Sequence, residues 1–385
     1  MEMMTVRASA PAKVLLFGEH AVVYGCPSIA VALTDLRLSV AVERVATDAV
    51  ASIELVFEDL LLKPDEEVAL QRKYEVRVLQ EIVTAYRQDA SYLPTPDPKV
   101  LQRIEDLVKH EEEDVAKPLR PCLYLCCAFL RSSPILSGSS GSLRIRVSAK
   151  RFPIGAGLGS SAALCVALAG ALTQFIPSTK LTLEQINEYA FSAEVILHGS
   201  PSGVDNTVSS YGGALQFRKL PNPSFTRLDI DLSSFRFLVV NTRVPRSTKV
   251  LVGNVRTLYD ANPAETQQVF DDIEAIIGEF VQLSKQGELS ETALGQLMEK
   301  NHTLLNAIGV GHPQIEKVVE ICKPHGIWTK LTGAGGGGCT VSLVPRSLDI
   351  DTLDALVQQL ETHGFQCFLS SVGGAGFVNE SSTIN

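Results

Sequence analysis

The chain has 385 residues, 45% hydrophobic and 20% charged, which is too long for one ordinary core and fits two domains of a globular protein. A net charge of −9 argues against a broad nucleic-acid-binding surface, while leaving room for a small basic pocket that takes an anionic ligand. The eight cysteines form no CxxC pair and sit in apolar runs such as "PCLYLCCAFL", so they read as buried reduced thiols; Cys322 and His325 lack the second pair a zinc site needs.

In chain order, "MEMMTVRASAPAKVLLFGEH" lacks the basic start and apolar core of a secretory signal. "KVLLFG" and "SIAVALTDLRLSVAVERV" predict strands rich in β-branched and apolar residues. Residues 63–118 are more charged, with helical patterning in "EVRVLQEIVTAYRQ" and an acidic run, "KHEEEDVAK", that suits a solvated helix face or lid-side loop. "GSLRIRVSAKRFP" predicts a strand, followed by a glycine-rich turn and an apolar helix over 162–176 that is too short to span a bilayer. "TLEQINEYAFSAEVILHG" predicts a helix, with a capping box at Thr182 and Gln185, a stop at Gly199, and a stripe of Ile186, Ala190, Ala193 and Leu197. "HGSPSGVDNTVSSYGGAL" is rich in turn residues and holds one acid, Asp205.

After about residue 230 the pattern changes. "FRFLVVNTRV" predicts a strand, helices follow over about 264–286, 290–307 and 313–323, and "WTKLTGAGGGGCTVSLV" breaks into another strand. "DTLDALVQQLETHG" is an amphipathic helix with Leu353, Leu356, Val357 and Leu360 on one face, and "FQCFLSSVG" is the last strand. Such interleaving fits a small ferredoxin-like α+β sandwich, with a domain boundary near 225–232 at "LPNPSFTRLD".

Three motifs carry chemistry. In "PIGAGLGSSAALCVALAG", Gly155, Gly157 and Gly159 let backbone amides turn inward, and the helix beginning at Ser160 adds its positive end, which together make a socket for phosphate. A purely structural turn is the competing reading; the spacing fits neither a dinucleotide fingerprint nor a Walker A loop. In "SAPAKVLLFGEHAVVYG", Lys13 precedes a strand that Glu19 and His20 follow, although a lysine there also suits a solvent-facing strand start. In "KLTGAGGGGCTVSL", five glycines in six residues form neither a helix nor a good strand, and suggest close approach of a ligand or another backbone.

Taken together, these motifs resemble the small-molecule kinases that phosphorylate galactose, homoserine, mevalonate and phosphomevalonate, in order across nearly the whole chain. "GEHAVVYG", "HGSPSGVDNTVSSYGGAL" and "NTRVPRSTKVLV" look most like the mevalonate-phosphorylating members. The resemblance implies an α+β fold with a ribosomal-protein-S5-like domain over 1–228, a ferredoxin-like α/β sandwich over 229–385, and an active site in the cleft between them. It implies ATP-dependent phosphorylation of mevalonate to 5-phosphomevalonate in isoprenoid and sterol precursor synthesis, with Mg²⁺, in a homodimer subject to feedback by prenyl diphosphates; the ending "STIN" is not a peroxisomal tripeptide, so the cytoplasm is the expected location. Neither nucleic acid nor membrane is expected as a partner.

By the same resemblance, the nucleotide would meet Lys13, Ser148, Gly155, Ala156, Gly157, Leu158, Gly159, Ser160 and Ser161. Ser161 and Glu194 would hold Mg²⁺, which prefers oxygen donors. Asp205 would accept the substrate hydroxyl proton, with Lys13 beside it stabilising the transferring group. Lys13, Glu19, His20, Arg246 and Thr248 would face the hydroxy acid, with Glu19 orienting its neighbours. Residues 45–120 do not align, and "SAKRFPIG" is longer than the usual run before the loop, which weakens Ser148. A phosphomevalonate kinase would need extra basic residues, and a silent ligand sensor would be expected to lose Asp205, Lys13 or Ser161, all of which are present.

Overall fold

A run of small and β-branched residues makes β1 (Thr5–Phe17) and β2 (Pro27–Val45), which pair antiparallel along most of their length. β1 alternates exposed and buried only at its start; from Ala8 on it is covered almost without a break, because helices from both halves of the chain pack on it. This computed structural model describes residues 5–45, 50–61, 69–84, 96–130, 142–150, 152, 155–176 and 180–380. The expected helical pattern beyond Thr84, and Pro153 and Ile154 of the glycine motif, lie outside the described residues.

Next come β3 (Ser52–Leu61), β4 (Ala69–Glu75), α1 (Val76–Thr84), α2 (Pro98–Val108), α3 (Glu113–Leu130) and β5 (Ser142–Ser148). In the acidic run before and into α3, Glu112, Glu113 and Asp114 are exposed, as a solvated face would be, while Glu111 accepts from Arg72 Nε and Nη2 and Glu113 pairs with Arg120. Then follow α4 (Ser160–Phe175), α5 (Leu183–His198), α6 (Val204–Tyr211), β6 (Ala214–Arg218) and β7 (Ser224–Leu228). The predicted capping box of α5 is present, and Gly199 is its C-cap. On its stripe Ile186, Ala190 and Ala193 are buried with Glu194, whereas Leu197 is half-buried. α6 departs from the sequence reading: the turn chemistry ends at Gly203 (φ 81°), and Asp205 lies in the first turn of a helix.

The remainder is β8 (Arg236–Asn241), α7 (Thr248–Ala261), α8 (Pro263–Gln286), α9 (Glu291–Ala307), α10 (Pro313–Cys322), β9 (Trp328–Leu331), β10 (Cys339–Val344), α11 (Ile350–Thr362), β11 (Gln366–Ser371) and β12 (Val378–Asn379). α7 has no counterpart in the sequence reading; of its residues only Val255 is buried, so it carries little apolar periodicity.

Two sheets organise these elements. The first runs β12-β1-β2-β5-β3-β4, with β6 on the early part of β2 and β7 beyond it. The second, wholly antiparallel, runs β11-β8-β10-β9, and α10 and α11 bury Val318, Ile321, Leu353 and Leu360 in its smaller core. The strand–helix–strand–strand–helix–strand sequence with this order is the ferredoxin-like arrangement expected for the second half. After β11 the chain crosses back: β12 pairs with Ala8 and Ser9 of β1, Arg37 donates to the Ala375 and Gly376 carbonyls, and Phe377 lies against Gly170 of α4. Among the described residues no helix is long and apolar enough to cross a membrane. The cysteines are unpaired, seven buried and Cys367 half-buried, and no metal-like group of three His, Cys, Asp or Glu occurs among the described residues.

Candidate active site

The glycine loop ahead of α4 is held in a backbone form that side chains disfavour. Gly155, Gly157 and Gly159 have φ of 77°, 84° and 74°, and Gly159 is the left-handed N-cap of α4. The Leu158 carbonyl accepts from the backbone amide of Lys13, so the loop is tied directly to β1. Ser160 Oγ accepts from Gly155 N at 3.4 Å, while Ala156 and Leu158 turn their side chains into the core. The free amides and the first turn of α4 leave an electropositive end facing the cleft.

Lys13 is nearly buried, and its Nζ stands 3.0 Å from Asp205 Oδ1. A Cβ on Gly159 would fall 3.3 Å from Lys13 Cγ and 3.5 Å from Asp205 Oδ2, which sets the pair against the loop. Glu194, 3% exposed on α5, feels the charge of Asp205. Burial pushes its carboxyl up to about 7, and Asp205 adds to the rise; a Ser161 hydrogen bond and the charges of Lys117 and Lys13 oppose it. Ser161 Oγ is 3.4 Å from His198 Nε2, which lies 3.6 Å from Glu194 Oε2. A buried carboxylate and a hydroxyl with no Lys or Arg in direct contact among the described residues suit a small hard cation that takes its remaining oxygens from phosphate and water.

On the other wall, β1 ends in a turn that Gly18 makes possible. Its φ is +92°, and a Cβ there would collide with the Pro27 carbonyl at 2.4 Å. His20 follows with φ 59°, rare for a residue with a side chain, and its Nε2 bonds the Ala334 carbonyl at 2.9 Å. Burial pulls the imidazole below its ordinary value, so the neutral ring donates this bond near pH 7. The carboxylate of Glu19 turns inward, to Lys330 and to Asn301. Arg246 lies between the two glycine loops, donating to Gly337 O at 3.0 Å and Ala156 O at 3.3 Å. Neither Gly157 nor Gly338 could carry a Cβ there without meeting the guanidinium, at 2.1 and 1.9 Å.

Lys13, Gly155–Ser161, Glu194 and Asp205 therefore form one cluster; Arg246 joins its loop to the second glycine loop, which His20 meets at Ala334. Thr248 is exposed at the start of α7, outside this set of contacts. Ser148 lies apart as well: its hydroxyl bonds Asp59, and it lines a second cleft with Arg7, Glu58, Arg146 and Lys150. The sequence reading missed His198, Lys117 and Lys330. His198 was findable, being four residues after Glu194 on the same helix face. Lys117 comes from α3, distant in sequence, and lines a cleft of about 480 Å³ with Leu101, Ile104, Ile196 and Leu197.

Comparison with known proteins agrees with this geometry. The family model for the GHMP kinases N terminal domain matches residues 123–213, and that for the GHMP kinases C terminal matches residues 287–353. The chain is 34% identical to mevalonate kinase of Mus musculus, over 97% of this chain and 95% of that protein. It is 35% identical to mevalonate kinase of Arabidopsis thaliana, over 97% and 99%. Among solved structures, Methanococcus jannaschii mevalonate kinase superposes with a TM-score of 0.70 at 25% identity, covering 96% of this chain and 98% of that one. L. major mevalonate kinase, solved with R-mevalonate, gives 0.67 at 24%, covering 97% and 98%. With identity above 30% along nearly the full length of both partners, the chain belongs to the mevalonate kinases of the GHMP kinase family.

Proposed function

We propose that the chain transfers the terminal phosphoryl group of ATP to the 5-hydroxyl of mevalonate. The observation that carries this reading is the Lys13–Asp205 pair seated against Gly159 of the phosphate-type loop. The loop amides and the positive end of α4 would hold the polyphosphate. Asp205, half-exposed toward the cleft, would accept the hydroxyl proton as the phosphoryl group moves, and Lys13 would stabilise the charge spread over that group. Glu194 and Ser161 would hold Mg²⁺, which when bound neutralises phosphate charge.

The substrate carboxylate would be met by His20 and Arg246, with Thr248 at the rim. Both His20 and Arg246 already present donors, to the carbonyls of Ala334, Ala156 and Gly337. A charged carboxylate is the stronger acceptor and would draw them away. Ser148, committed to Asp59, has no part in this reading. On this view residues 1–228 supply the ATP and substrate contacts, and 229–385 supply the 333–338 loop that closes over them.

Prenyl diphosphates would compete with ATP, because their diphosphate suits the same loop; inhibition series at varied ATP and at varied mevalonate check this. A homodimer is the assembly proposed, and sedimentation of the purified chain reads it. The activity itself is tested by ADP release over mevalonate, phosphomevalonate, galactose and homoserine. Turnover with mevalonate alone is expected, and turnover confined to any other alcohol would overturn the reading.

A further inference from the structure

Lys330 is a lysine with no exposed side-chain surface. It lies on β9, the edge strand of the second sheet, three residues before Gly333, which opens the loop that His20 reaches. Its ammonium bonds Glu19 Oε1, at the other wall of the cleft, and the carbonyl of Leu331 at 2.6 Å. The second Glu19 oxygen accepts from Asn301 of α9 at 3.2 Å. A little further on, Thr332 Oγ1 donates to the Leu15 carbonyl of β1 at 2.8 Å. These bonds join the end of β1 to β9 alongside the part-buried bond from His20 to Ala334.

A pair of wholly buried charges is weak evidence for stability, since desolvating both ions consumes most of their attraction. What such a pair does well is fix a distance between two segments. Here one segment is the turn 18–20, with its strained His20, and the other is the strand feeding loop 333–338. Neither of the first-sheet ladders holds that turn to β9, because among the described residues β1 pairs with β2 and β12.

We propose that Lys330 is a positioning residue: through Glu19 it sets the spacing between the 18–20 turn and the 333–338 loop, and so aims the His20 imidazole at the substrate carboxylate. The aim toward a carboxylate rests on the function proposed above, whereas the effect on His20 does not.

The double variant Glu19→Gln/Lys330→Met removes both charges at similar volume, so no uncompensated ion is left buried and the fold is retained. Lys330→Arg keeps the charge but lengthens and splays the donor set, which provides a second folded variant. In each, the imidazole Nε2–H resonance of His20, assigned with His20→Ala, is read without ligand. It should shift or exchange faster than in the parent, and KM for mevalonate should rise on the order of tenfold to a hundredfold. KM for ATP should change less than KM for mevalonate, since loop 155–161 reaches loop 333–338 only through Arg246 and makes no bond to Glu19 or Lys330 among the described residues. A His20 signal identical to the parent's in both folded variants would overturn the positioning role. A shifted signal in the variants of a parent chain that does not turn over mevalonate would instead overturn the function, leaving the positioning intact.

Discussion

Lys13 of β1 and Asp205 of α6 meet at 3.0 Å against the backbone of Gly159, so the charge pair and the phosphate-type loop share one contact. A methyl at residue 159 would therefore be felt by both. Gly159→Ala adds left-handed strain of about 1–2 kcal/mol and presses on Lys13 Cγ, so it should depress kcat by more than its modest loss of thermal stability explains. Steady-state kinetics paired with a melting curve check this; an unchanged kcat would show that the loop and the pair are independent.

Glu194 gives the enzyme a pH signature. Its folded carboxyl is raised from 4.5 to about 7, chiefly by burial, so between these values the folded state binds more protons than the unfolded. Stability from this group is full below about pH 4.5 and is lost as pH rises through about 7, by up to about 3 kcal/mol in the metal-free protein. Mg²⁺ requires the ionised form, so the Mg²⁺ concentration for half-maximal activity should fall as pH rises through about 7. Glu194→Gln should flatten both dependences, and Ser161→Ala should raise the Mg²⁺ requirement. Mg²⁺ titrations that overlay the parent would make these residues structural.

Much of this was legible in the chain because the chemistry is local. Gly155, Gly157 and Gly159 announce a backbone that only glycine adopts easily, and Thr182 with Gln185 announces the start of α5. Glu194 beside an apolar stripe was readable as an acid needing a partner, and it proved to be part of the buried face. What was not legible came from contacts between distant segments. Lys330 looks like an ordinary strand lysine until Glu19, 311 positions earlier, is brought to it. The inward turn of Glu19 and the place of Arg246 between two glycine loops are likewise tertiary facts. α6 was hidden because Ser, Gly and Pro before it signal a turn and its eight residues are too few to show a period.

Gly170, which interrupts the apolar run of α4, has a packing reason. A Cβ there would stand 2.0 Å from the Phe377 ring on the returning C-terminal segment. Alanine is the better helix former by about 1 kcal/mol, but overpacking costs about 1–3 kcal/mol, so Gly170→Ala should destabilise. In a Phe377→Ala background the sign should reverse, because only the propensity gain remains. Denaturant midpoints of the four proteins in this cycle decide it, and an unchanged sign would remove the packing explanation.

The central claim is that Asp205 and Lys13 carry phosphoryl transfer to mevalonate. Its most direct measurement is the rate of phosphomevalonate formation from ATP and mevalonate, followed by mass spectrometry for the parent chain and for Asp205→Asn. The account predicts product from the parent, with kcat in the variant lower by roughly 10²–10⁴ at an unchanged melting temperature and unchanged ATP binding. Absence of phosphomevalonate from the parent, or near-parental turnover by a correctly folded Asp205→Asn, would contradict it.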